Sequence, residues 1–398
     1  MDSEFWERKD LDAYILAFRQ RGPESFVQEH QSMPVAERLY IARQLAGVKK
    51  AESKFPSLAS NLALRFPPAE NMEQSSSEAT AAYKARLIGP SSKILDGGCG
   101  FGMDTIAFLK EGHQVMALDP NPLLTPLLVL NVKALGLTGL STEVQNLENY
   151  LTQTEERYDW IYIDPSRRVE GRKLVQLADL EPNVIPLLPT LLKRGSKVLV
   201  KLSPLLDLKE LERWTSRIRR IHVVEWEGEC KEILAEIHAD YKGEPEIMVS
   251  ILSHPEFEFR FTRPEEADAE LRCGLPTAFL FEPGPAIMKA GPYRLLSARY
   301  GLTKLHPLTH FYASENVIES LPGKWYRLLG EYPESKAERL ALIPEGKAGV
   351  SIRQYPGTAQ ELQKKLGLKD GGSHQILACT IFNGEKKLLV GTRLKVGE

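Results

Sequence analysis

The chain of 398 residues has few cysteines, no long apolar run and no low-complexity tract. Its four cysteines, Cys99, Cys230, Cys273 and Cys379, stand far apart, and no pair has the spacing of a zinc site or a redox motif. They read as free thiols in a reducing compartment, so a cytoplasmic location is expected. The eight histidines show no metal-ligand spacing either, and no metal is expected. No apolar stretch approaches the roughly 18 residues that cross a bilayer. The first 20 residues mix acids, bases and aromatics, unlike a signal peptide, so no membrane partner is expected.

What is present is an ordinary globular composition, 42% hydrophobic and 26% charged, with length for two to four domains. The net charge of −2 is unevenly spread. Residues 271–398 hold 18 basic and 11 acidic residues, whereas residues 1–270 hold 33 and 42. The basic end suits a polyanion partner or is ordinary surface variation; the count alone leaves both open.

Residues 1–65 read as helical, with Leu11, Tyr14, Ile15 and Phe18 at helical spacing and a second such pattern from Pro34 to Leu45. Phe66-Pro67-Pro68 breaks the pattern. Hydroxyls and a carboxylate at Gln74–Glu78 predict a helix start, the helix running to about Leu87. From Lys93 strands alternate with helices. Strands are predicted at Lys93–Gly97, Gln114–Asp119, Thr142–Gln145, Asp159–Asp164 and Ser196–Leu202. Helices are predicted at Met103–Glu111, Leu123–Leu135 and Leu208–Ile218, with a Pro-interrupted helical stretch before Ser196. Three more strands follow, Arg220–Glu227, Glu232–His238 and Glu246–Leu252. This grammar predicts an α/β fold with a mainly parallel sheet covered on both faces. Thr262–Glu270 reads as a break. Further on, Thr358 and Glu361 form a capping box, Gly367 stops that helix, and Asn383-Gly384 turns a hairpin between Ile376–Phe382 and Lys386–Leu394.

Asp96-Gly97-Gly98-Cys99-Gly100-Phe101-Gly102 lies between the first strand and a helix. Glycines there let a ligand approach the backbone, and the helix start offers free N–H groups to a carboxylate. The dinucleotide pattern G-x-G-x-x-G fails, because Met103 or Thr105 stands at its third place. The spacing D-x-G-x-G-x-G instead resembles the first motif of class I S-adenosylmethionine-dependent methyltransferases, matched by Asp96, Gly98, Gly100 and Gly102. Asp119, about 20 residues beyond the loop, ends the second strand where an acid can accept from both ribose hydroxyls. The resemblance implies that Asn146 and Leu147, after the third strand, meet the adenine. It implies S-adenosylmethionine as the cofactor.

The fourth strand ends Asp164-Pro165-Ser166-Arg167-Arg168. This is similar to the (Asp/Asn)-Pro-Pro-aromatic motif of methyltransferases that act on base or amide nitrogens. Asp164 and Pro165 match, Ser166 replaces the second proline, and Arg167 replaces the ring. A guanidinium can stack on a base or pair with phosphate. Asp164, Pro165 and Arg167 are therefore the candidate catalytic residues. Lys201-Leu202-Ser203-Pro204, ending the fifth strand, either lines the target pocket or opens a helix.

Longer segments carry a broader resemblance. Gln74-Ser75-Ser76-Ser77-Glu78 with Thr80, Tyr83 and Lys84, Gly228-Glu229-Cys230-Lys231-Glu232, and Phe281 to Gly291 resemble a bacterial group of methyltransferases with a THUMP-like domain. That resemblance implies a Rossmann-like class I methyltransferase sheet with an N-terminal helical segment and small C-terminal α+β domains. The expected divisions are 1–70 helical, 71–270 cofactor-binding, 275–318 ferredoxin-like and 319–398 THUMP-like. It also implies structured RNA as the partner. Lys289, Arg294, Arg299 and Lys304, interleaved with Tyr293, Tyr300, His306 and His310, are a phosphate-and-stacking surface or else solvated bases and core rings. RNA methylation is the leading expectation. A small-molecule or protein methyltransferase and a non-catalytic RNA-binding protein are the alternatives.

Overall fold

The structure, a computed structural model, describes residues 5–6, 10–167 and 176–395. They divide into two compact units, residues 1–221 with 231–245, and residues 222–230 with 246–398.

The first unit opens with helices α1 Leu11–Phe18, α2 Gly22–Glu29, α3 Val35–Lys54, α4 Pro56–Ala59, α5 Ala69–Gln74 and α6 Glu78–Leu87. Leu11, Ile15 and Phe18 form the buried stripe of α1, as their spacing predicts, and pack with Phe26, Tyr40, Ile41 and Leu45. Ser77 caps α6 by accepting from the Thr80 N–H. The sheet follows, with β1 Lys93–Asp96, β2 Gln114–Leu118, β3 Leu140–Glu143, β4 Tyr158–Ile163, a two-residue ribbon β5 Ser166–Arg167 with β6 Leu180–Glu181, then β7 Gly195–Leu202, β8 Ile218–Trp226 and β9 Glu229–His238. Connecting helices are α7 Met103–Lys110, α8 Leu124–Ala134, α9 Leu147–Gln153, α10 Val184–Arg194 and α11 Leu208–Trp214.

Within the first unit the strand order is β3-β2-β1-β4-β7-β9, and β8 runs from the first unit's residues into the second's at residue 222. β1 pairs in parallel with β2 and β4, β2 with β3, and β4 with β7, while β9 runs antiparallel to β7. β1, β4 and β7 lie inside the sheet, and Ile94, Leu95, Trp160 to Ile163 and Val198 to Val200 are buried accordingly. The order steps from β1 to β2 on one side and to β4 on the other. The crevice outside the carboxyl end of β1 is therefore the place where a sheet of this kind receives a ligand.

The second unit contains β10 Glu246–Ile251, β11 Glu258–Phe261, α12 Arg263–Asp268, β12 Phe279–Pro283, α13 Pro285–Ala290, α14 Tyr293–Tyr300, β13 Thr303–His306, β14 Thr309–Ser314, β15 Gly323–Glu331, α15 Lys336–Leu342, β16 Lys347–Arg353, α16 Ala359–Leu366, β17 Lys369–Thr380 and β18 Lys386–Leu394. Seven of these strands form one sheet, β13-β14-β12-β15-β18-β17-β16. The predicted capping box at Thr358 and Glu361 is formed, and Gly367 ends α16 at φ +69°. Thr262–Glu270, predicted as a break, instead holds α12 behind a second capping box, Thr262 with Glu265. Pro264 sits in its first turn, where a missing N–H costs nothing.

Candidate active site

The loop between β1 and α7 is pinned from below. Gly97 N–H donates to the Tyr162 carbonyl at 2.9 Å, and Cys99 N–H to the Leu118 carbonyl at 2.8 Å. Asp96 is fully buried and accepts from Thr105 Oγ1 at 2.5 Å and from Gly98 N at 3.4 Å. Burial pushes its carboxyl up to about 7 against the Thr105 hydrogen bond. Asp96 thus ties strand to helix beneath the loop.

The motif's glycines divide into two kinds. A Cβ on Gly102 (φ +89°) would lie 2.3 Å from Leu128, and one on the neighbouring Gly97 would lie 2.7 Å from Leu147. These two allow close packing. A Cβ on Gly98 or Gly100 would meet no atom within 4 Å. Those two leave an open cradle over bare backbone, which suits the methionine part of an S-adenosylmethionine molecule.

At the end of β2 the carboxylate of Asp119 accepts from Gly100 N and from Asn121 N, each at 2.9 Å. Burial raises its pKa, with these two N–H donors opposing. An ionised carboxylate has about four acceptor positions, so capacity remains for ribose hydroxyls beside the cradle. Asn146 is exposed and caps α9 by accepting from Asn149 N at 2.9 Å. Leu147 is buried against Gly97.

Asp164 follows β4 at the same end of the sheet, and Lys201 Nζ donates to its Oδ2 at 2.5 Å from the neighbouring strand β7. Of the two sequence alternatives for the Lys201 run, the lysine itself belongs beside Asp164, while α11 starts later, capped by Asp207. Pro165 is buried. Ser166 lies in the short ribbon; the side chain of Arg167 and all of Arg168 lie outside the described residues.

Behind these groups lies a buried polar cluster that sequence reasoning gave no role. Lys84, fully buried on α6, donates to both oxygens of Glu232 at 2.9 Å and pairs with Asp104 Oδ1 at 3.2 Å. Ser76 Oγ and Tyr162 Oη donate to Asp104 Oδ2 at 2.8 and 2.7 Å. Burial opposes the Asp104 charge, but Lys84, Lys201 and the two hydroxyls hold its pKa below the usual carboxylate range. For Lys201 burial works against the cation, and Asp164, Asp104 and Glu232 more than offset it, raising its pKa. The signal was available: Lys84 sits on the alanine face of α6, beside Ala81 and Ala85, and Glu232 opens an apolar strand run.

A cavity of about 600 Å³ lined by Lys93, Gln114, Tyr150 and Tyr158 lies at the opposite, amino-terminal ends of the strands and is separate from this site. Among the described residues no cluster of metal ligands occurs, and no helix is long and apolar enough to cross a membrane.

Comparison with known proteins agrees with this geometry. A solved structure described as a methyltransferase from Porphyromonas gingivalis W83 is 28% identical and covers 97% of this chain and 98% of its own, with a TM-score of 0.87. An uncharacterized S-adenosylmethionine-dependent methyltransferase of Mycobacterium tuberculosis is 24% identical over 305 residues, 75% of this chain and 80% of the relative. An uncharacterized RNA methyltransferase of Enterococcus faecalis is 30% identical over 108 residues, 26% of this chain and 24% of that protein. Residues 279–322 match a family described as a ferredoxin-like domain.

The fold is that of the class I methyltransferases. The protein is an S-adenosylmethionine-dependent methyltransferase, and S-adenosylmethionine is its cofactor.

Proposed function

We propose that the enzyme methylates a base nitrogen in structured RNA, tRNA or rRNA, and that Asp164 holds the accepting nitrogen. The observation that carries this reading is the place of Asp164-Pro165: after β4, at the carboxyl end of the sheet that also bears the glycine cradle and Asp119. The cofactor supplies a methyl group already activated on sulfur, so orientation is most of the task. Lys201 occupies Asp164 Oδ2, leaving the other oxygen to accept from a target N–H, and buried Pro165 stiffens the turn. In this reading Gly98, Gly100 and Asp119 touch the cofactor, Asp96 and Gly102 shape the loop, Leu147 packs beneath it, Asn146 stands at the adenine end, and Arg167, whose side chain lies outside the described residues, is assigned to the nucleic acid on its place in the sequence motif.

Support for RNA comes from the basic surplus of residues 271–398, from the name of the Enterococcus relative, and from the THUMP-like domain that the resemblance of the earlier segments implies for residues 319–398. The interleaved segment contributes less than its composition promised. Lys304 is buried and donates to the Pro307 carbonyl, Tyr293 stacks on His310 at 3.8 Å, and Tyr300 stacks on Phe259. Arg294 and Arg299 donate to the Ala267 and Arg260 carbonyls as well, but both are exposed and are the better candidates for phosphate.

Tritium-labelled methyl transfer onto total RNA from a strain lacking the protein, followed by nucleoside analysis, tests the proposal. Labelled base in wild type is expected. Asp164→Ala should abolish it while S-adenosylhomocysteine affinity stays within a few-fold by calorimetry. Label appearing on protein or small molecules instead would replace RNA as the substrate, and transfer at wild-type rate by Asp164→Ala would make that residue a strand terminus only.

A further inference from the structure

The first turn of α7 is tied to two neighbouring strands at once. Asp96 on β1 and Tyr162 on β4 are register partners. Asp104 and Thr105 follow each other at the head of α7. Thr105 Oγ1 donates to Asp96 Oδ2 at 2.5 Å, and Tyr162 Oη donates to Asp104 Oδ2 at 2.7 Å. The first bond fixes α7 to β1 and the second fixes it to β4. Tyr162 also holds the glycine loop, since its carbonyl accepts the Gly97 N–H at 2.9 Å. Its side chain is buried, and the ring meets Phe108 of α7 edge-on at 5.4 Å. Two residues on, just past the end of β4, stands Asp164, bonded to Lys201. Asp104 has other partners: Ser76 Oγ donates to the same oxygen at 2.8 Å, and Lys84 stands 3.2 Å from the other oxygen. What the tyrosine hydroxyl adds is a bond from the head of α7 to the strand that leads to Asp164.

We propose that Tyr162 is a positioning residue: through its hydroxyl on Asp104 and its carbonyl on Gly97 it sets the spacing between the glycine cradle and Asp164. The inference rests on the reading that Gly98 and Gly100 hold the methyl donor and that Asp164 holds the accepting nitrogen. Main-chain pairing already fixes β4 against β1. It does not reach α7, whose first turn closes the far side of the cradle. A change in spacing between α7 and β4 therefore moves donor and acceptor relative to each other. Binding tolerates such a shift, because each ligand keeps its own contacts. Transfer does not, because the reacting atoms must lie about 3–3.5 Å apart and in line, and a misplacement of roughly 1 Å costs about a hundredfold. Tyr162, buried beneath the loop, acts through these neighbours.

The test is labelled-methyl transfer by the full chain onto total RNA from a strain lacking the protein, with kcat and apparent KM set beside S-adenosylhomocysteine affinity from calorimetry. Tyr162→Phe removes one oxygen and keeps the ring. It should lower kcat about tenfold or more, the effect of a misplacement smaller than 1 Å. KM for RNA and the ligand affinity should stay within about threefold, so that the loss lies in the transition state alone. Ser76→Ala is the control. It takes a donor from the same Asp104 oxygen and an acceptor from Lys84 at 3.1 Å, but it removes no bond to β4. Its melting temperature should fall at least as far as that of Tyr162→Phe, while its kcat stays within about threefold of wild type. Equal losses of kcat in the two variants would make the tyrosine bond merely structural and overturn the proposal. So would a loss confined to KM or to ligand affinity. Should Tyr162→Phe fail to fold, Phe108→Leu loosens the same ring from the α7 side and carries the same expectations. Absence of label on RNA with the wild-type chain overturns RNA as the substrate and this inference with it. Label with the wild-type chain and an undiminished kcat in Tyr162→Phe overturns this inference alone.

Discussion

Each compact unit buries a glutamate in its sheet, and the two are treated differently. In the first unit Glu232 pairs with a lysine that has no exposed surface, and both sit among further buried charges. In the second unit Glu282 accepts from Arg353 Nη2 at 2.8 Å and from Tyr326 Oη at 3.1 Å, with Lys324 at 3.8 Å. Those two cations are 31% and 50% exposed. Glu282 is neutralised by side chains that reach water, so the surroundings can relax around any change. Glu232, Lys84 and Asp104 are enclosed, and Lys201 and Asp164 beside them lie at the end of the sheet that bears the glycine loop. A closed network is demanding because losing one member strands the others away from solvent.

The largest contrast is therefore expected from removing one cation on each side. Lys84→Met should destabilise the protein by about 3–5 kcal/mol, the range for a buried charge left unpaired. Arg353→Met should cost only about 1–2 kcal/mol, because Glu282 keeps Tyr326 and the half-exposed Lys324. Urea unfolding followed by circular dichroism measures both, and equal costs would erase the distinction between the two sites.

A smaller contrast separates the loop's glycines. Gly102→Ala should lower stability by roughly 1–3 kcal/mol, since it strains a left-handed residue and drives a methyl into Leu128. Gly98→Ala should leave thermal stability nearly unchanged yet weaken S-adenosylhomocysteine binding, because its methyl enters the open cradle. Melting curves with and without ligand separate the two effects.

The smallest effects are in pH dependence, with opposite signs in the two units. Asp96 is raised from the ordinary carboxylate range to about 7, so its contribution to stability is complete at low pH and is lost as pH rises through 7. His310 is lowered to about 4 by burial, with Lys304 and Arg353 adding to the shift. Its contribution is complete above the ordinary imidazole range and is lost as pH falls toward 4. Relative to wild type, Asp96→Asn should gain stability between pH 5 and pH 8. His310→Phe should gain between pH 7 and pH 4.5. Shifts of roughly 2–4 °C per kcal/mol are expected in melting temperature, and slopes of the same sign would contradict the assigned environments.

Much of the first unit was legible because its signals are local. A short apolar strand followed by glycines placed β1 to within one residue, and the end of β2 placed Asp119. The predicted helix from Leu208 runs only to Trp214, because the apolar residues from Ile218 onward enter a strand instead. The buried network was not legible as a network. Ser76, Lys84 and Glu232 lie in segments whose pattern stood out, but nothing local shows that residues 148 positions apart meet. Asp104 and Tyr162 gave no signal, since one looks like an ordinary first-turn acid and the other like a strand aromatic. In the second unit, β15 was missed because its residues alternate poorly and its order comes from pairing with β12 and β18.

That pairing carries a practical consequence. β12 lies in the middle of the sheet, hydrogen-bonded to β14 on one side and β15 on the other. A fragment ending at residue 322, where the ferredoxin-like match stops, would lose β15 and every strand beyond it. The row of N–H and C=O groups along Phe279–Pro283 would then be bare, with Leu280 and Phe281 uncovered beside it. Such an edge recruits other chains. The segment that looks most like an exchangeable module is thus one whose excision should yield aggregates, and anyone shortening this protein for expression should keep the chain through Leu394.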